Sequence, residues 1–207
     1  MTVSSQIPTG AGAILELKGP AEEDHLLRQG RRGGLWMSVG EVIVHGAPST
    51  YLVLTTPDVP SPKEGETLWG YKALEGQIKW EGSLPRRGVG ALWDEFVKLK
   101  EREGLYGVFP GTLKLIRTLD DRSTVEGQFK LPANISPGRY SIALSILNSG
   151  KVVGQRSFEL KVEMQGLAGG LTSLARRHGL LYGLAAVLLA LVTGLIMGFL
   201  FKGQGAH

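Results

Sequence analysis

Residues 139–163, "RYSIALSILNSGKVVGQRSFELKVE", decide the fold class. Two β-prone runs flank "NSG" at 148–150, a connection too short for anything but a hairpin turn. "SPG" at 136–138 sets the start of the first run, and the second stops before Met164. A tight hairpin makes the two strands antiparallel neighbours. Working outward, "STVEGQFKL" (123–131), "AILELKG" (13–19) and "STYLVLTT" (49–56, ended by Pro57) are further strands. "LWMSVGEVIVHG" (35–46) is one bent strand or two short ones. "EEDHLLRQGRRGG" (22–34) is expected as a charged, glycine-punctuated loop whose first half could form a helical turn.

"ALWDEFVKLKEREGLYG" (91–107) is the clearest soluble helix. Leu92, Phe96 and Leu99 recur at i, i+4 and i+7 with Trp93 beside them, opposite Asp94, Glu95, Lys98 and Glu101. Gly104 stands where a C-cap belongs. Residues 57–90 are harder. "PDVPSPKEGE" and "LEGQIKWEGSLPRRGVG" form a long irregular connection, which is functional or conceals an element. An exposed Trp69 or Trp80 there would suit a protein contact. The composition agrees with a β-rich body, since 30 glycines and 10 prolines in 207 residues supply many turns. The fold class is therefore mainly β: an immunoglobulin-like antiparallel sandwich with an inserted amphipathic helix, plus one C-terminal transmembrane helix.

That last helix is the plainest feature of the chain. From Gly179 to Phe201 no residue is charged and Thr193 is the strongest polar group. At 1.5 Å per residue the run is about 34 Å long, enough to cross a hydrocarbon core of roughly 30 Å. Tyr182 near one end and Phe199 and Phe201 near the other suit the two interfaces. Ala186, Ala190, Gly194 and Gly198 recur every fourth residue, a stripe where a second helix could approach closely. The domains are then 1–164, a β-rich soluble domain; 165–178, a juxtamembrane linker; 179–201, the span; and 202–207, a short tail.

Several stretches together resemble the Alph_Pro_TM family of transmembrane proteins. They are "KGPAEEDHLLRQGRRGGLWMSVGEV" (18–42), "PSTYLVLTT" (48–56), "FVKLKEREGLYG" (96–107), "LPANISPGRYSIALSILNSGKVVGQ" (131–155) and "LLYGLAAVLLALVTGLIMG" (180–198). The resemblance runs from about residue 7 onward. It implies a bacterial envelope protein with a signal peptide, an outward-facing β-rich domain and one C-terminal anchor. It also suggests a partner, a permease of the sulfite-exporter type. Family members carry one or two strands ahead of the segment matching "IPTGAGAILELKG". Without them a sandwich would have an open edge, so a true start upstream of Met1 is expected. "MTVSSQIPTGAGAIL" itself has no basic n-region and no long apolar core.

Two orientations follow from different evidence. Arg176 and Arg177 precede the span and only Lys202 follows it, so the positive-inside count puts the soluble domain in the cytoplasm of a tail-anchored protein. The resemblance instead puts the domain in the periplasm, anchored in the inner membrane, because a cleaved signal peptide would set orientation first. The periplasmic orientation is the expectation adopted.

The sequence asks for no catalysis. Net charge is +4 without a face-long basic stripe, so nucleic acid is not an expected partner. Cysteine is absent, which removes disulfides, thiolate zinc sites and a cysteine nucleophile. His25, His45, His178 and His207 are scattered, with no i, i+4 metal pair, and no serine sits in a Gly-x-Ser-x-Gly elbow. Asp120–Asp121 and Glu22–Glu23 are sequence neighbours, a poor basis for acid–base work across a substrate. No enzyme, metal or cofactor is expected. "RQGRRGG" offers Arg28, Arg31 and Arg32 beside glycine N–H groups, a candidate small-anion site, with Glu22, Glu23 and Asp24 as their alternative partners. Arg86 and Arg87 in "LPRRGVG" form a second basic loop. The leading expectation is a membrane-anchored protein presenting a β-sandwich to another envelope or integral membrane protein, through the small-residue stripe and the 57–90 segment. The alternative is an anion-binding or sensing domain using the three arginines.

Overall fold

The computed structural model describes residues 1–60, 69–84, 88–117, 122–163 and 174–201. It divides into two units, Met1–Val162 and Glu163–His207.

The first unit is built around one strand pair that is buried on both faces. β2 (Gly12–Lys18) and β5 (Tyr51–Thr55) are near-continuous apolar runs, and every residue of β5 is buried. Such runs fit only a sheet covered on two sides. They lie inside a five-stranded sheet of order β11-β10-β2-β5-β7, with β7 at Tyr106–Phe109, β10 at Gly138–Asn148 and β11 at Lys151–Val162. All pairs are antiparallel except β5–β7, which is parallel. That pair requires a long crossover. It is supplied by α1 (Tyr71–Glu75), β6 (Lys79–Gly82) and α2 (Val89–Arg102).

On one side of the central sheet, Ala13, Leu15, Leu17, Leu52, Leu54 and Leu144 meet Ile7, Leu113, Val125 and Phe129. These last residues come from or adjoin a small antiparallel sheet of order β1-β9-β8, with β1 at Thr2–Pro8, β8 at Lys114–Arg117 and β9 at Arg122–Gln128. On the other side, Ile14, Tyr51, Val53 and Tyr106 meet Val44, Leu74, Trp93, Phe96 and Val97. That layer combines the two helices with a sheet of order β3-β4-β6, with β3 at Ala21–Arg32 and β4 at Leu35–Pro48. The unit thus has two apolar layers, each fully buried leucine or phenylalanine contributing about 1.5–3 kcal/mol.

The mainly β reading stands, and "NSG" forms the expected hairpin, with Ser149 and Gly150 at φ 50° and 78° between Asn148 and Lys151. α2 ends in a Schellman motif, the Gly104 N–H donating to the Glu101 carbonyl and the Leu105 N–H to Lys100. The layering does not confirm an immunoglobulin-like sandwich: it has a third sheet and a parallel pair. One expectation needs correction: residues 22–32 are neither loop nor helical turn but lie in β3, and only Gly33 and Gly34 form a turn. The 57–90 connection does conceal elements, α1 and β6, and Trp69, Leu74 and Ile78 plug the core beneath it. Its parts at 61–68 and 85–87, with Arg86 and Arg87, lie outside the described residues, as do Asp120–Asp121, most of the 165–178 linker and the 202–207 tail.

Candidate functional site

β2 and β3 run on as one bent strand paired throughout with β4 and β5. The bend lies at Gly19–Pro20, where the Gly19 N–H donates to Thr50 and the Ser49 N–H to Pro20. A Cβ at Gly19 would collide with Ser49 Oγ and the Thr50 backbone, so only glycine lets the strands cross so closely. Past this bend the β3–β4 ribbon forms an arm. β6 pairs with it only from Val42 to His45, and Arg28 Nη1 donates to the Ser83 carbonyl at 3.2 Å. Beyond that point no third strand among the described residues pairs with the ribbon. Residues 31–38 are all exposed.

The tip is a two-residue turn at Gly33 and Gly34, with φ 59° and 85°, between the pair Arg32–Leu35. Positive φ at both central positions marks the turn whose twist matches a hairpin, and glycine adopts it without strain. Leu35, Trp36 and Met37 follow immediately, Trp36 being 69% exposed. Trp69 and Trp93, by contrast, are buried, and Trp80 packs edge-on against Phe96. The exposed tryptophan is therefore on the arm and not in the 57–90 segment.

Arg28, Arg31 and Arg32 all lie on this arm, but not on one face of it. Side chains alternate along β3, so Arg28 and Arg32 share a face and Arg31 takes the other. Arg31 lies over the Trp36 ring at 5.9 Å. The acids of 22–24 do not pair with these arginines. Asp24 Oδ1 accepts from Lys100 Nζ at 2.7 Å, and Glu23 contacts His45 Nδ1 at 2.9 Å. His45 also meets Glu81 at 3.2 Å, and His25 meets Glu41 at 2.7 Å, a polar row across the outer face of β3-β4-β6. Among the described residues no group of three His, Asp or Glu side chains is arranged to hold a metal ion.

Beneath the arm is a buried polar cluster. The Tyr51 hydroxyl donates to Glu16 Oε1 at 2.6 Å and accepts from the Gly70 N–H at 2.9 Å. Tyr106 donates to the Pro48 carbonyl at 2.8 Å and Tyr71 to Glu101 at 2.7 Å. Burial first, then the neighbouring carboxylates, holds all three phenols well above the ordinary tyrosine value. Phenols so held stay protonated and donate hydrogen bonds, a structural role.

The second unit carries α3 (Gly179–Phe201), long and apolar enough to cross a membrane. Residues 174–177 are helical and lead into it, the Tyr182 N–H donating to His178. Thr193, the one aliphatic hydroxyl of the run, donates to the Leu189 carbonyl at 2.8 Å, so its polarity is satisfied within the helix. Ala190 and Gly194 lie low on one face of the helix between Val187, Leu191 and Leu195, an open, shallow groove. Gly198 continues the stripe with open space where a Cβ would stand. Ala186 lies one turn before Ala190 on the same side.

A family model described as "Putative transmembrane protein (Alph_Pro_TM)" matches residues 1–203. The chain belongs to the Alph_Pro_TM family. The match begins at residue 1, so β1 lies inside the family pattern, ahead of the residue-7 limit read from the sequence. No curated protein and no solved structure matches this Alph_Pro_TM chain. Within it, the arm is the feature that sequence reasoning missed. The signal was present: "GG" between two runs that pair is a two-residue hairpin turn. The charge of 22–32 hid it, because a ribbon without a core face shows no apolar alternation.

Proposed function

We propose that this Alph_Pro_TM protein is a single-pass, non-enzymatic accessory subunit of the bacterial inner membrane. Its β-rich domain faces the periplasm, and α3 packs against a helix of another integral membrane protein, a permease. The observation that supports the pairing is the groove at Ala190 and Gly194. In lipid, helices associate by close backbone packing and not by the hydrophobic effect, so a small-residue groove is where a partner helix gains most contact. Tethering also raises the local concentration of the soluble domain at that partner.

Mild-detergent purification with crosslinking tests the pairing. A defined complex should survive in the wild type and be lost in Gly194→Leu and Gly198→Leu; unchanged association would remove the role of the groove. Orientation is read with single cysteines at Ser83 and Gln204 in this cysteine-free chain, using a thiol reagent that cannot cross the inner membrane. Labelling of Ser83→Cys alone supports the periplasmic orientation. Labelling of Gln204→Cys alone establishes the tail-anchored, cytoplasm-facing alternative. The reading as a small-anion sensor gains no support from the arm, because strand alternation separates Arg31 from Arg28 and Arg32.

A further inference from the structure

We infer that the tip of the β3–β4 arm is a lipid-docking element: Leu35, Trp36 and Met37 enter the interface of the anionic membrane that α3 spans, while Arg28, Arg31 and Arg32 engage its headgroup phosphates.

The composition of the tip singles out this occupant. From Leu27 to Gly40 there are three arginines and no aspartate or glutamate. The first acid beyond, Glu41, is engaged by His25. Leu27, Leu35, Trp36 and Met37 are all exposed on the same segment. An isolated two-stranded ribbon buries too little to hold such residues for its own sake. Tryptophan favours the membrane interface, where its ring is apolar and its N–H is wet. Arginine places an apolar stem in that zone and a guanidinium at the phosphates. The Arg31–Trp36 contact keeps cation and ring side by side, so both can enter at one depth. Opposite faces, which defeat a single anion pocket, suit a surface that surrounds the tip on all sides.

Two further observations separate this tip from an ordinary exposed strand. β11 also exposes Val153 and Phe158, but it interleaves them with Lys151, Arg156, Glu159 and Lys161, charges of both signs. The tip combines exposed apolar side chains with charge of one sign over residues 27–40; among the described residues β8 shows the same mixture only on a shorter scale, with Leu115 and Ile116 exposed beside Lys114. The arm also projects: residues 27–32 of β3 and 35–41 of β4 extend past the β6 pairing, roughly 20 Å against a headgroup layer of about 5–8 Å. Sixteen residues link Val162 to Gly179, a contour of at most about 60 Å, so the domain that carries the arm is tethered to the helix that enters the bilayer.

The test uses the full chain in nanodiscs of neutral lipid, with or without anionic phosphatidylglycerol, the acyl chains brominated near the headgroup. Tryptophan quenching is compared between the wild type and Trp36→Phe, which isolates the Trp36 signal from Trp69, Trp80 and Trp93. A quenched Trp36 component is expected in anionic discs. Each arginine replaced by glutamine should lower the ratio of docked to free tip about fivefold. The melting temperature should stay unchanged in Arg31→Gln and Arg32→Gln, since residues 31–38 lie outside both apolar layers. A Trp36 signal unquenched in anionic discs would overturn the inference and assign the tip to a protein. Quenching that is equal in neutral discs and indifferent to the arginines would also overturn it. So would a saturable Trp36 shift on adding inorganic phosphate without lipid at constant ionic strength, which would identify a soluble anion as the ligand.

Discussion

Lys100, on the buried face of α2, places Nζ 2.7 Å from Asp24 Oδ1 on β3. The lysine side chain is 6% exposed and the aspartate 23%. The pair joins the helix to the base of the arm, with the Lys100 ammonium also 5.4 Å from the Phe96 ring. Asp24 Oδ2 is buried with no partner, so the carboxylate depends on this one cation.

Removing one partner should therefore cost far more than removing both. Lys100→Met strands a buried carboxylate and is expected to destabilise the domain by about 3 kcal/mol. Lys100→Met with Asp24→Leu should recover most of that loss. Urea unfolding followed by the fluorescence of Trp69 and Trp93 checks both, and additive losses would show that the two groups do not interact.

The turn at the arm tip makes a local prediction. Gly34→Val forces a β-branched residue to positive φ and should open the hairpin end, with a local cost of about 1–3 kcal/mol. Gly33→Asn should be tolerated, because asparagine accepts this turn position. Hydrogen exchange at the Arg32 and Leu35 amides, the pair that closes the turn, reports the opening. Global stability should not move, since residues 31–38 lie outside both apolar layers.

Gly127 tests the contact between the small sheet and the central one. A Cβ there would come within 2.8 Å of Leu113, 2.9 Å of Leu15 and 3.0 Å of Leu54. Leu15 of β2, Leu54 of β5 and Leu113 just before β8 must give way together, so Gly127→Val is expected to cost about 2 kcal/mol by overpacking. Thermal unfolding measures it. A neutral result would mean that the two sheets can separate freely.

Two buried phenols and one half-buried one set an alkaline limit. Tyr51, Tyr71 and Tyr106 are raised above the ordinary value of 10.0, chiefly by burial. In the unfolded chain they lose protons near that value while the folded chain keeps them. Above about pH 10 the unfolded state therefore binds fewer protons, and stability falls as pH rises. Below it their contribution is fully present. For Tyr106 the slope is at most about 1.4 kcal/mol per pH unit. Tyr106→Phe should lower stability at neutral pH by orphaning the Pro48 carbonyl, yet flatten the alkaline decline. Melting temperatures from about pH 8 to about pH 11 test this.

The sequence by itself determined the elements whose signals are local. An uncharged run from Gly179 to Phe201 specifies a helix long and apolar enough to cross a membrane, because each residue's transfer preference adds along one chain. The "NSG" hairpin, the doubly apolar strand "YLVLT" and the α2 stripe with its Gly104 cap were legible for the same reason. The groove residues of α3 were readable from i, i+4 spacing alone. What only the tertiary structure decided depends on distant partners. β1, β7 and β8 are short strands whose identity comes from pairing: Thr2 with Gln128, Tyr51 with Tyr106, Leu115 with Val125. Trp69 and Leu74 look like loop residues until the central sheet is above them. The arm is the extreme case. "HLLRQGRRGGLW" satisfies its backbone across a ribbon and buries little, so no periodicity betrays it. Hydrogen bonding between strands selects the conformation there, and a strand's partner is not written in its own residues.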